Sequence, residues 1–254
     1  MSFKLDDSVM EINEDEVKAV LNSKRCIWKN KTLVKLVEDF LETNMETLDL
    51  CDSVMTCLKR VRETRLLILE ALHHFDDEDR ANESSYEKTL DNLKNFKAAG
   101  DPFTQDFFRI FNFVYRRQIA FLEKLRRKKL KLFKLLDLTR VYFLLKNIRN
   151  SVNAQKEVIH IMEIGSYKAM QDIQKIRTCV YRLEIGFESF MMNTDFAISS
   201  EVPVRIVMDH IKRTLTSFPK NVDELGMMAN LCTANIQKAR RVLFQRIIRP
   251  PRGN

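Results

Sequence analysis

Between Leu33 and Phe75 the side chains repeat in sevens, and no Gly or Pro interrupts them. One row is Val37, Asn44, Cys51, Leu58, Arg65 and Leu72, and the other is Leu41, Leu48, Met55, Arg62 and Leu69. The rows alternate by four and three residues, the seam of a helix laid lengthwise on other helices. Such a helix is roughly 65 Å long, more than the width of a compact domain of this size. The spacing predicts an all-α fold, an elongated bundle of long antiparallel helices with coiled-coil-like seams. Three seam positions are polar: Asn44, Arg62 and Arg65. Either each sits at the seam edge and reaches water, or it makes a buried polar contact that fixes register. Glu184 and Glu188, one helical turn apart, are the candidate partners of Arg62 and Arg65.

The acid run Asp76-Asp77-Glu78-Asp79 opposes the helix macrodipole and predicts a stop near Phe75. Ser84-Ser85 reads as the cap of a short helix with Tyr86, Leu90, Leu93 and Phe96 as its stripe. Gly100 ends that helix, and Asp101 with Pro102 opens the next. A third long helix is expected over about 150–193, with Gly165 as a bend or a close contact. Ser199, Ser200, Glu201 and Pro203 read as a fresh start, Pro219 as a break or restart, and Pro250-Pro251 as the end. The domain reading is an acidic, partly disordered segment over 1–30 with a short helix near 14–22, one helical-bundle domain over 31–249, and a basic tail over 250–254.

The net charge of +8 conceals an asymmetry. Residues 1–101 carry a net −7 and residues 102–254 a net +15. The two parts attract each other if folded together, and the basic excess favours a polyanionic partner. The five cysteines are an odd number with no metal-ligand spacing, which points to a reduced, intracellular compartment. The apolar run at 141–145 is far short of the roughly 20 residues that a spanning helix needs. The first residues lack the pattern of a secretory signal.

No reaction is written in this chain. Five dispersed glycines build no phosphate cradle, and no metalloprotease or nucleophile-elbow motif is present. His73-His74 beside the acid run is the nearest thing to a metal cluster, but adjacent histidines point about 100° apart on a helix. It reads as a solvated helix end. No catalytic residue, metal site or cofactor is therefore expected. The clearest chemistry is electrostatic: residues 116–149 hold twelve Lys and Arg against Glu123 and Asp137. Arg126, Arg127, Lys128, Lys129, Lys131 and Lys134 interleave with Leu130, Leu132, Phe133, Leu135, Leu136 and Leu138. That is a basic amphipathic helix, suited to an anionic membrane surface or to the solvated face of a bundle. Nucleic acid is disfavoured, because the aromatics are committed to an apolar face. Protein partners would use the helical seams.

Five stretches carry a resemblance. They are TLDLCDSVMTCLKRVRETRLLILEALHHF (47–75), DPFTQDFFRIFNFVYRRQIAFLEKL (101–125), QKEVIHIMEIGSYKAMQDIQKIR (155–177), RLEIGFESFMMNTDFAI (182–198) and ARRVLFQRIIRPP (239–251). Together they resemble a plant family of uncharacterised, integrin-like, membrane-associated proteins. The resemblance implies membrane association and transfers no catalytic residues. It also implies a hydrophobic membrane segment between the basic helix and the QKE stretch, which this chain lacks: residues 126–154 run directly from one to the other. The expected function is a non-catalytic, membrane-peripheral scaffold or interaction protein. The alternative is a soluble cytoplasmic coiled-coil adaptor.

Overall fold

A computed structural model describes residues 30–81, 85–141, 146–199 and 203–248. The expectations for 1–29, for Ser84 and for the tail after 248 fall outside them. The described residues are 95% helical and form an all-α bundle of five helices without strands. They are α1 (Lys31–Arg80), α2 (Glu87–Ala99), α3 (Gln105–Val141), α4 (Lys146–Ser199) and α5 (Val204–Ile248).

Asn30 starts α1. Its side-chain oxygen accepts from the Thr32 N–H at 3.1 Å, and its amide donates to Gln155 at 2.8 Å. Contrary to expectation, α1 does not stop at Phe75 but runs through the acid run to Arg80. Each carboxylate there has a counterpart that offsets the macrodipole: Asp76 pairs with Lys212, Asp77 with Arg80, and Asp79 with Arg205. Buried Glu78 caps α2 from another helix. It accepts the Lys88 N–H at 2.9 Å, the Thr89 N–H at 3.3 Å and the Thr89 hydroxyl at 2.6 Å. Tyr86 at the α2 N-cap supplies no side-chain hydrogen bond of its own. Its left-handed backbone (φ 47°) is unusual for a non-glycine residue. A hydroxyl bond to Asp79, another from Arg205 and ring stacking on Phe75 at 5.5 Å hold it there. Asp101 folds into a turn that accepts the Phe103 N–H, and Thr104 caps α3 by accepting from Phe107. The helix therefore begins after the expected Asp101-Pro102 start. Helix α4 runs unbroken through Gly165, and α5 through Pro219.

The helices divide between two compact units. Of the described residues, one draws on 30–45, 117–141, 146–168 and 235–248, and the other on 46–81, 85–116, 169–199 and 203–234. In the first, Leu33, Val37 and Phe40 of α1 share a core with Phe121 and Leu125 of α3, Ile159 and Met162 of α4, and Leu243 and Ile247 of α5. Glu42–Arg117 and Asp39–Lys124 make α1 and α3 antiparallel. Gly165 is a close contact: a Cβ there would stand 2.9 Å from Ala239 Cβ and 3.2 Å from the Phe40 ring. In the second, Asp76–Lys212 and Asp79–Arg205 run α1 antiparallel to α5, and Arg182–Glu224 with Ser189–Thr214 run α4 antiparallel to α5. Helix α2 packs on α4 through Phe96, whose ring lies 5.2 Å from Phe187 and 6.3 Å from Phe190. As the charge asymmetry implied, four of these pairs join acids of α1 to bases of α3 and α5, although exposed pairs add only about 0–1 kcal/mol each.

The seam of α1 differs from the expected one by a row. Val37, Asn44, Cys51, Leu58 and Leu72 are buried. The accompanying row is Leu33, Phe40, Thr47, Val54, Val61, Ile68 and Phe75, each no more than 5% exposed. The row of Leu41, Leu48, Met55, Arg62 and Leu69 is buried only at its start, and Leu69 is 36% exposed. Both candidate rows flank the Val37 row at heptad spacing. Burial on both sides selects the one that carries Phe40, Ile68 and Phe75.

Candidate anionic-surface site

The basic residues lie on the second half of α3. Leu125 and Leu132 face the core of their unit, with Leu136 packed at its margin. On the opposite face Leu130 and Leu138 are 62% and 63% exposed, and on its two flanks Phe133 and Leu135 are each 39% exposed. At 3.6 residues per turn, Leu130, Lys134 and Leu138 follow one another on that outward face, with Arg127 and Lys131 beside them. Arg126, Lys131 and Lys134 are exposed and Lys128 is half-buried. These four make no ion pair with a described residue. Arg127 is bonded to Glu123 at 3.1 Å, and Lys129 to Glu163 at 2.5 Å, where His160 also approaches at 3.7 Å. The six expected residues therefore share one helix segment but not one state: four present free cations and two are engaged. Lys156 of α4 lies 4.2 Å over the Phe133 ring, at the flank of this face. Its contribution was not visible in the sequence, because α4 brings it from beyond the α3–α4 junction.

The second expected cluster does not assemble. Among the described residues no ion pair joins Arg62 or Arg65 to Glu184 or Glu188. Arg62 is exposed, and its guanidinium lies 3.9 Å from where a Cβ of Gly226 would stand. Glu184 instead faces other acids. Burial, then Glu188 and Asp101, push its carboxyl above the usual range. Burial and Glu188 likewise raise Asp101, against the pull of the Phe103 N–H and Arg60. Of the polar seam residues, Asn44 is buried, at 1% exposure, and Arg65 is half-buried with its Nε out of reach of solvent. His73 reaches Asp77 at 3.6 Å on an exposed surface. Among the described residues no helix is long and apolar enough to cross a membrane.

Fold and site together define an α-helical bundle with a basic, leucine-bearing helix face. The chain belongs to the family described as protein of unknown function DUF677, whose model matches residues 2–141 and 138–247. It is 36% identical to UPF0496 protein At4g34320 of Arabidopsis thaliana over 96% of this chain and 78% of that protein. UPF0496 protein 1 of Oryza sativa subsp. japonica is 33% identical over the same shares. UPF0496 protein At2g18630 of Arabidopsis thaliana is 31% identical over 97% of this chain and 76% of that protein. No solved structure matches. The alignment with the first relative runs over 294 positions, although only about 244 residues of this chain take part, so about 50 positions of the relative have no counterpart here. The two pieces of the family match meet at residues 138–141.

Proposed function

We propose that this protein is a non-catalytic, membrane-peripheral interaction protein whose α3 binds an anionic lipid surface. The observation that supports this reading is the exposure of Leu130 and Leu138 among Arg126, Lys128, Lys131 and Lys134, four cations without ion-pair partners among the described residues. Leucines of such a face enter the headgroup boundary while lysine stems lie along it and keep their charges in water. Each cation near such a surface adds about 1 kcal/mol, so the four together hold the chain reversibly. Salt weakens that attraction over a Debye length of about 10 Å at 0.1 M.

Vesicle flotation tests this. The wild type is expected to float with vesicles containing phosphatidylserine, to stay down with purely zwitterionic vesicles, and to be released by high salt. The variant R126E/K128E/K131E/K134E is expected to stay down with both. A wild type that does not float, or a variant that floats equally well, overturns the reading. Arg127 and Lys129 are left in place because Glu123 and Glu163 already engage them.

A further inference from the structure

Where α1 and α3 run side by side, acid meets base until the start of α1, and there the rule breaks. Glu42 binds Arg117 at 3.0 Å, and Asp39 binds Lys124. One turn before Asp39, on the same stripe of α1, stands Lys35. One turn after Lys124, on the same stripe of α3, stands Lys128, followed by Lys131. Like charges share this level and repel. Lys35, Lys128 and Lys131 make no ion pair with a described residue, while Asp39 and Glu123 are already engaged by Lys124 and Arg127. Leu135, on the stripe of Lys128 and Lys131, borders them with exposed apolar surface. The groove has its cations and lacks an anion.

The chain enters α1 beside this groove. Asn30 is nine residues before Asp39, and Phe133 is nine after Lys124, so in antiparallel helices the two stand level. Helix α4 gives the same level: Gln155 accepts the Asn30 amide at 2.8 Å, and the next residue, Lys156, lies over the Phe133 ring. Ahead of Asn30, residues 6–16 hold six carboxylates and no Lys or Arg: Asp6, Asp7, Glu11, Glu14, Asp15 and Glu16. Val9, Met10 and Ile12 interleave with them. The fourteen residues from Glu16 to Asn30 span about 20 Å as helix and about 45 Å extended. Packed helix axes are about 10 Å apart, so either form reaches Lys128. We infer that the acidic stretch 6–16 of this same chain docks in the groove and supplies the carboxylates that Lys35, Lys128 and Lys131 lack. Its tether holds it at about millimolar effective concentration, ahead of an acidic protein free in solution. Val9, Met10 and Ile12 cover Leu135 and Leu138. Resting on the lipid reading of α3, the docked stretch is also a shield: one cation cannot serve a carboxylate and a lipid phosphate at once, so an anionic surface must displace 6–16 to bind.

The test cross-links the full chain with a carbodiimide, which joins a carboxylate directly to a lysine amine where the two touch. An equimolar mixture of nitrogen-15-labelled and unlabelled protein is used, and the digest is mapped by mass spectrometry. The expected products join the peptide carrying residues 6–16 to Lys35, Lys128 and Lys131, with both halves of each pair carrying the same isotope, and they vanish in high salt. Exposed Lys238 of α5, in the same unit, is expected to give none. Absence of these products, an equal yield at Lys238, or pairs of mixed isotope overturn the docking whether or not the wild type floats with vesicles. The variant D6N/D7N/E11Q/E14Q/D15N/E16Q tests the shield by flotation with phosphatidylserine vesicles. It is expected to bind them about fivefold more tightly than the wild type, the equivalent of one cation freed. Equal binding overturns the shield. If the cross-links form and neither protein floats, the docking stands and the lipid reading falls.

Discussion

Phe40→Ala is expected to lower the free energy of unfolding by about 3–5 kcal/mol, in the range of large aromatic truncations in well-packed cores. Phe40 is 0% exposed, its ring is centred 6.1 Å from that of Phe121, and its edge fills the space left by Gly165. Neighbours from α3 and α4 cannot close the gap, because each is a long helix fixed by its other contacts. Urea unfolding followed by helical circular dichroism reads the loss as a fall in the midpoint. Leu69→Ala is the informative comparison. Leu69 belongs to the seam row that the sequence favoured, yet it is 36% exposed, so its truncation is expected to cost less than about 1 kcal/mol. Equal losses at the two positions would mean that the seam assignment is wrong.

Glu78→Ala carries the second large effect, about 2–4 kcal/mol, because it strips the acceptor from two backbone N–H groups at the start of α2 and from the Thr89 hydroxyl. Burial pushes the Glu78 carboxyl up, but the bonds from Thr89 and Lys88 outweigh it and hold it below its ordinary 4.5. The sign follows from that direction. A carboxyl whose folded value lies below its unfolded one contributes stability that is complete above the unfolded value. That contribution disappears as the pH falls through the folded value. The advantage of wild type over Glu78→Ala is therefore constant near neutrality and shrinks below about pH 4. Chemical denaturation of both proteins from pH 7 to pH 3 measures it. A difference that grows on acidification contradicts the capping role.

The helical class was legible because the heptad spacing over Leu33 to Phe75 is a local signal. Which two rows form the seam was less so, since both rows beside the Val37 row keep the heptad spacing and each carries one polar residue, Thr47 in one and Arg62 in the other. The acid run misled for a related reason. Its carboxylates are unfavourable by local rules and become acceptable through Lys212, Arg205 and Thr89, which only tertiary structure supplies. The basic helix was plain in the sequence, but the engagement of Lys129 by Glu163, across the α3–α4 junction, was not. Cys51 and Cys232 read correctly as small buried side chains.

Pro219 stands inside α5 and leaves the carbonyl of Leu215 without its usual amide donor. Just upstream, the hydroxyls of Thr214 and Thr216 turn back onto the carbonyls of His210 and Lys212. That stretch of backbone is therefore tied less tightly than the turns on either side. Deuterium from heavy water should enter its amides sooner than those around Leu225, so α5 opens first near its proline and lets solvent in there.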